Sequence, residues 1–456
     1  MADLRAFWTR LVEGLWFVPS AIVLGAILLA IGMVELSAVV ASETLARWPR
    51  VFGVSAEGAR SMLAAIAGSM ITVAGVTFSI TMVAVTQASS QYTPRILRNF
   101  MGDRANQVVL GVFVGIFAYC LVVLRTIRGE DDLTAEGVTF VPSLAVLLGV
   151  LLAIVGIAVL IFFVHHIATT LQASEIVARI TNETVEAVDR LFPDDLGDAT
   201  LERASQAATA AFETARWRPV ASPATGYIQR VDDKGLMRVT RECHLVVRLE
   251  HQVGDFVVAG LPLASVAPTA EHEDRSGDRE ADRRPGELIV ERITIGNYRT
   301  VDQDASFGIR QLVDIALKAL SPGINDTTTA VTCVDYLGAI LVRTVTRRIE
   351  APYRWEDGAP RVVGPGPTFE SLVRLAFDEV RRNASDNVSV LARQCGTLEM
   401  LARRTPSAAR RAILVEQIAL LEETTDRSVP TAYDRERLHG LARQARLAAG
   451  GGPTRG

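Results

Sequence analysis

Apolar residues gather in the first 166 positions of the chain, and polar ones dominate the rest. Four apolar runs stand out: Leu15 to Val40, Met62 to Val85, Val108 to Leu124 and Val141 to Val164. Each approaches or exceeds the roughly 20 residues that cross about 30 Å of hydrocarbon as a helix. None carries a charge near its centre, whereas a buried soluble helix would show a polar stripe. The pattern predicts a four-helix transmembrane domain over residues 1–166. Val39-Val40-Ala41 resembles a signal-cleavage site, but the first run exceeds the 7–15 residues of a signal core and more spans follow, so it is read as uncleaved. An even number of spans puts both termini on one side. Arginines divide nearly evenly, with Arg5, Arg10, Arg95, Arg98 and Arg104 facing one way and Arg47, Arg50, Arg60, Arg125 and Arg128 the other. The large charged C-terminal region breaks the tie and places both termini in the cytoplasm.

Beyond Val164 the helical spacing continues through Ile167, Leu171, Ile176, Ile180, Val185, Val188 and Leu191. This predicts a helical stalk over 167–193, continuous with the fourth span from Val141 to Leu191. A cytosolic α+β region follows over 194–350. Within it, short strands with glycine turns at 217–267 predict a small β-barrel. The run Gly254-Asp255-x-Val257-x-x-Gly260-x-Pro262-Leu263 resembles barrel-sandwich hybrids, the shape of lipoyl and biotinyl domains. In such carriers a hairpin lysine is modified, and Lys234 lies in an Asp-Asp-Lys-Gly turn, but without the flanking residues of a carrier. Thr269 to Glu287 is a mixed-charge insertion, expected as a loop. A strand is expected from Leu288 to Tyr298, then helices at Phe307 to Leu320 and Thr327 to Arg347. Gly358 to Pro367 reads as a linker. Periodic segments beginning at Thr368 predict a C-terminal helical bundle over 368–448.

Composition sharpens this division. Of the 456 residues 49% are hydrophobic and 21% charged, and the mean hydropathy of +0.25 fits an apolar block joined to a polar one. A net charge of -4 and a pI near 6.0 argue against a nucleic-acid-binding body. The four cysteines, Cys120, Cys243, Cys333 and Cys395, form no CxxC pair. They read as free thiols in a reducing compartment, with no metal ribbon.

The second span carries the most chemistry. Gly68, Thr72, Gly75, Ser79, Thr86 and Ser90 fall within about 60° of helical arc. In lipid, such a stripe either lets helices pack closely or lines a polar pathway. The same helix runs on through Gln87 and Gln91 toward Arg95, carrying amides and arginines past the bilayer. Glu35 is the one carboxylate inside an apolar run, either a functional intramembrane charge or an interfacial residue. His165 and His166 sit at the exit of the fourth span, where they either titrate as a gate or anchor the helix. In the polar half, Arg299, Asp302, Asp304, Asn325 and Asp326 form a cation or acid/base site if their segments converge. Otherwise Asn325 or Asp326 caps the following helix, with Pro322-Gly323 making the turn. P-loop, HExxH, GxSxG and post-strand GxGxxG motifs are absent, so no enzyme of a familiar class is expected.

Four motifs together resemble a bacterial family of predicted inner-membrane proteins known as a domain of unknown function. They are Phe78-Ser-Ile-Thr81, Ser89-Ser-Gln-Tyr-Thr-Pro-Arg95, Phe163-Val-His-His166 with Gln172, and Ala319-Leu-Ser-Pro-Gly-Ile-Asn-Asp326. The resemblance spans about the first 400 residues. It departs at Thr327, where the family pattern has proline, and it implies a membrane-plus-cytosol design without an activity. The leading expectation is a homo-oligomeric channel or transport-like protein in the bilayer of the bacterial inner membrane. It would pass a small ion or solute, use a cytosolic assembly or sensing domain, and need no cofactor, metal or nucleic acid. A membrane-anchored scaffold or signalling protein without a pore is the second expectation. A membrane-bound hydrolase using Asp302, Asp304 and Asp326 is the third.

Overall fold

A computed structural model describes residues 16–39, 55–91, 104–128, 140–170, 172–192, 215–269, 283–347, 349, 353–356 and 359–450. The chain divides into two compact units, Met1–Gln172 and Ala173–Gly456.

The first unit contains four helices long and apolar enough to cross a membrane. They are α1 (Phe17–Val39), α2 (Ala56–Gln91), α3 (Arg104–Thr126) and α4 (Ser143–Thr170). At 1.5 Å per residue, α2 extends about 54 Å, well beyond the hydrocarbon thickness. The core of the unit forms around α3, whose Phe113, Ile116, Tyr119 and Val123 are buried against the other helices. Apolar attraction between helices is weak in lipid, so close backbone approach and internal hydrogen bonds must hold such a bundle. Both are present. A Cβ at Gly111 would meet Pro19 and Ile22 of α1 at 3.0 and 2.8 Å, and one at Gly115 would meet Ala26 at 3.4 Å. Gly149 and Gly156 of α4 lie equally close to Leu63 and Met70 of α2. The Tyr119 hydroxyl donates to the Ala145 carbonyl at 2.8 Å, and Arg60 donates to the Ile127 carbonyl at 2.8 Å.

The expected single helix from Val141 to Leu191 is not formed. α4 ends at Thr170, Gln172 lies outside any helix with its N–H on the Thr169 carbonyl (3.1 Å), and α5 (Ala173–Leu191) starts afresh. Hydrophobic spacing passes through this point, but spacing reports which faces are apolar and not whether the axis is continuous. The buried face of α5 is amphipathic in the soluble sense, with Ile176, Ile180, Thr184 and Val188 inward.

The second unit is mixed. Strands β1 (Arg218–Ala221), β2 (Gly226–Val231), β3 (Leu245–Leu249), β4 (Phe256–Val257), β5 (Pro262–Pro268), β6 (Ile293–Gly296), β7 (Tyr353–Glu356) and β8 (Ala359–Val363) form two sheets. One has the order β1-β5-β3-β8-β7, antiparallel except for the parallel pair β3–β8. The other is antiparallel with the order β4-β2-β6. Among the described residues no closed barrel forms over 217–267. The two sheets share a core that includes Ile228, Val247, Leu263, Ile293 and Val362.

Three local expectations are overturned here. The Asp-Asp-Lys-Gly run is not a hairpin turn: Asp232 caps Gly235 N, and Lys234 lies in the first turn of α6 (Asp233–Glu242). Leu288 to Val290 end α7 (Arg283–Val290), so the strand expected from Leu288 is confined to β6. Residues 359–363 of the expected linker form β8, which the sheet tolerates despite Pro360.

The helical layer of this unit comprises α5, α8 (Ala305–Ala319), α9 (Thr327–Thr344), α10 (Phe369–Ala384), α11 (Val388–Arg404), α12 (Ala408–Ser428) and α13 (Ala432–Ala448). Each of the last six begins at a side-chain cap: Asp304, Asp326, Thr368, Asn387, Ser407 and Thr431. Such caps satisfy N–H groups that the helix leaves unpaired. At the other end of α9, Arg410 of α12 donates to the Thr344 and Val345 carbonyls, both at 2.9 Å. Its guanidinium also stacks over Phe369. Gly308 of α8 lies where any side chain would overlap the Thr184 hydroxyl, which sets how closely α5 and α8 approach.

Candidate functional site

The α2 stripe faces away from its own bundle. Gly68, Thr72, Gly75, Ser79, Thr86 and Gln87 are all exposed on the unit, while Leu63, Ala67, Met70, Ala74 and Thr77 form the buried face. A Cβ at Gly68 or Gly75 would meet nothing within 4 Å. The stripe hydroxyls turn back on their own helix, Thr72 to the Gly68 carbonyl and Thr86 to that of Met82. Close packing inside the unit uses the glycines of α3 and α4 instead. Gly111-x-x-x-Gly115 is itself a small-x-x-x-small motif, a signal available in the sequence that points to the α1–α3 contact. The side chains of Ser90 and Gln91, and all of Arg95, lie outside the described residues.

The other described membrane candidates lie on different helices from the stripe. Glu35 is exposed on α1, and His165 is exposed on α4. His166 is half-buried and stacks on Phe162, with ring centroids 5.6 Å apart. That contact suits an aromatic belt at a membrane boundary.

In the second unit the polar cluster separates into two. Asp304 caps α8, its Oδ1 accepting the Phe307 N–H at 2.9 Å, while its Oδ2 accepts from Nε and Nη2 of Arg299 at 2.9 and 2.7 Å. Burial pushes the Asp304 carboxyl above its ordinary value, with the Arg299 charge and hydrogen bonds opposing that shift and Asp255 adding to it. Gly254 closes over this pair: its φ is +96°, and a Cβ there would collide with the Asp304 carboxylate. Asp302 is paired with Arg190. Asp326 lies beyond the other end of α8 and caps α9, with the Thr329 hydroxyl and N–H holding its carboxyl below the ordinary range. Asn325 precedes it in the left-handed region, φ +51°. Fifteen residues of helix at 1.5 Å each put about 22 Å between Asp304 and Asp326. The expected convergence into one cation or acid/base site is therefore overturned, because both acids serve as caps at opposite ends of α8.

Two recesses mark the surface of this unit. One, of about 660 Å³, opens beside the α8 cap and is lined by Arg190, His251, Gln303, Asp304, Ser306 and the Gly364–Pro367 loop, among others. The other, of about 940 Å³, lies between β1, the end of β5 and α7, with Arg218, His244 and Glu287 on mostly apolar walls. Among the described residues no group of three or more His, Cys, Asp or Glu side chains is placed to hold a metal ion. The four cysteines are free, and burial raises the Cys333 and Cys395 thiols to about 12, which leaves them inert.

Comparison with known proteins agrees with the membrane reading. An uncharacterized protein of Mycobacterium bovis and another of Mycobacterium tuberculosis are each 32% identical to this chain over 394 residues, covering 85% of it and 72% of the relative. No solved structure matches. A family model described as "Predicted membrane protein (DUF2254)" matches residues 13–400, and the chain belongs to that family.

Proposed function

We propose that this chain is the subunit of a homo-oligomeric channel or transport-like protein of the bacterial inner membrane, passing a small ion or solute. Both termini are cytoplasmic in this reading, and the second unit serves assembly or sensing. The observation that carries it is the position of the α2 stripe. In lipid, a small and hydroxylated face serves close helix approach or lines a polar pathway, and here it is exposed while other glycines do the packing within the unit. A second copy of α2, or a shared polar axis, would meet that face. Four helices enclose too little space for a pore of their own, so a pathway requires several subunits. The test is flux through proteoliposomes containing the wild type and Gly75→Leu. A large loss of flux, or a change in oligomer size, is expected; an unchanged flux and an unchanged oligomer would place the stripe against lipid.

The scaffold or signalling reading is second, and the recess beside the α8 cap favours it. A concave site with polar groups on a built frame is what a ligand-binding cytosolic module needs. Ligand screening by thermal shift, with no flux in liposomes, would favour it over a pore. The barrel-sandwich likeness of 217–267 plays no part in either reading. Lys234 is expected to be unmodified, because it lies on a capped helix and not in a hairpin. Intact-mass measurement of protein from its host decides this, a lipoyl or biotinyl increment being the contrary result.

A further inference from the structure

The turn Ser321-Pro-Gly-Ile-Asn-Asp326 joins α8 to α9 and holds an apolar side chain outward on a fixed frame. The N–H groups of Ile324 and Asn325 both donate to the Ser321 carbonyl, at 3.0 and 2.9 Å, and that of Asp326 donates to the Ala319 carbonyl at 2.8 Å. Asn325, at φ +51°, supplies the left-handed residue that closes the turn. Tied in this way, the backbone leaves Pro322, Gly323 and Ile324 exposed, Ile324 by 41%. Half-buried Leu317 and Leu320, three residues apart on α8, continue the apolar surface. No charged residue lies between Lys318 and Asp326.

Helix register fixes which end of the second unit this is. α8 runs antiparallel to α5, because Arg190 pairs with Asp302 while Gly308 abuts Thr184. α9 returns to the end of α5, where Arg347 donates to the Asp189 and Phe192 carbonyls. The turn between α8 and α9 therefore lies at the opposite end, level with the start of α5 at Ala173. Ala173 is the third residue after Thr170, where α4 ends. Three Cα steps of about 3.8 Å span at most about 11 Å, whatever angle the two units adopt. Thr170 in turn is about 6 Å along α4 from His166, the residue whose ring stack suits a membrane boundary. Chain connectivity thus holds this end of the second unit beside the bilayer.

We infer that the 322–324 turn docks in the headgroup layer of the membrane that α4 crosses, with Ile324 as its lipid anchor. The covalent tether makes this contact intramolecular, so a small apolar surface suffices where a free protein would need a large one. Charge adds little. Asn387 Nδ2 donates to Thr327 Oγ1 at 2.8 Å and so brings Asp386 to the same end, where its charge offsets that of Lys318. The attachment is therefore apolar and does not depend on anionic lipid. Phe256 and Val258 are exposed as well, but they follow Gly254, which abuts Asp304 at the other end of α8. The inference rests on α4 crossing the membrane and not on the oligomeric pore, so either can fail alone.

The test uses the full chain in nanodiscs of zwitterionic lipid, with Cys243→Ser removing the one natural cysteine that is not buried. Ile324→Cys and Val258→Cys, at positions matched in exposure at 41 and 42%, are labelled in detergent with a nitroxide methanethiosulfonate and then reconstituted. Power saturation reads collisions with oxygen, which concentrates in lipid, and with a water-soluble nickel chelate. The oxygen-to-nickel ratio at Ile324→Cys is expected to exceed that at Val258→Cys by about threefold or more. Ile161→Cys, on the exposed side of α4, gives the lipid-facing reference. Water-like ratios at Ile324→Cys beside a lipid-like Ile161→Cys would overturn the docking and leave the span intact. Few collisions with either reagent at Ile324→Cys would also overturn it, because protein and not lipid would then cover the turn. Should Ile324→Cys fail to fold, Pro322→Cys on the same turn takes its place with the same expected ratio.

Discussion

Asp304 and Asp326 are both helix caps, yet their surroundings give them opposite responses to pH. Asp326 has a folded value held below the ordinary carboxylate range by the Thr329 hydroxyl and N–H. Its contribution is present above that range and is lost as pH falls through the folded value. Asp304 is raised, chiefly by burial, so its contribution is present below the ordinary range and fades as pH rises through its folded value. Asp326→Ala should cost about 1 kcal/mol of unfolding free energy at neutral pH. Asp326→Asn should keep most of the cap and flatten the acid-side loss, as read by denaturant unfolding between about pH 5 and pH 2. Gly254 supplies a sharper test. Its φ of +96° and the Asp304 carboxylate pressed against it leave no room for a methyl group. Gly254→Ala should therefore destabilise the second unit by about 1–3 kcal/mol, whereas Gly260→Ala, also at positive φ but in open space, should cost less. The Gly254–Asp304 contact joins residues fifty positions apart, which is why no local pattern in the sequence reveals it. The capping role of Asp326, by contrast, is legible from the Pro-Gly-Ile-Asn-Asp run before a periodic segment.

At the scale of elements, legibility follows the strength of local signals. The helices of the C-terminal third each pair a cap residue with apolar spacing, and both signals name the same start. Strand β8 has the composition of a linker, and its pairings, parallel with β3 more than a hundred residues earlier and antiparallel with β7, make it a strand. Leu288-Ile-Val290 has β-type residues but closes a short helix, because packing on the shared core outweighs propensity. The break at Gln172 escapes the hydrophobic pattern for a related reason, since spacing persists across it. A Gly-rich insertion after Gln172 should accordingly leave both units folded, as judged by circular dichroism and gel filtration. In the bundle, the glycines divide by role. Gly111→Leu should disrupt α1–α3 packing and lower the melting temperature of the detergent-solubilised protein, while Gly75→Leu should leave the subunit fold intact.

For the whole molecule, the division into an apolar and a polar half is legible from hydropathy alone, and the four long apolar helices bear it out. The proposed association of subunits rests on one face of one helix. That face is small, hydroxylated and exposed, and no covalent or metal chemistry accompanies it among the described residues. The most direct test of the oligomeric claim is disulfide cross-linking of Ser79→Cys in native membranes, on the Cys243→Ser background, with Leu151→Cys on the exposed side of α4 as the comparison. Oxidation is expected to join Ser79→Cys subunits into a covalent dimer and to leave Leu151→Cys monomeric. If Ser79→Cys remains monomeric under conditions that cross-link Leu151→Cys, α2 faces lipid and the subunits do not meet through it.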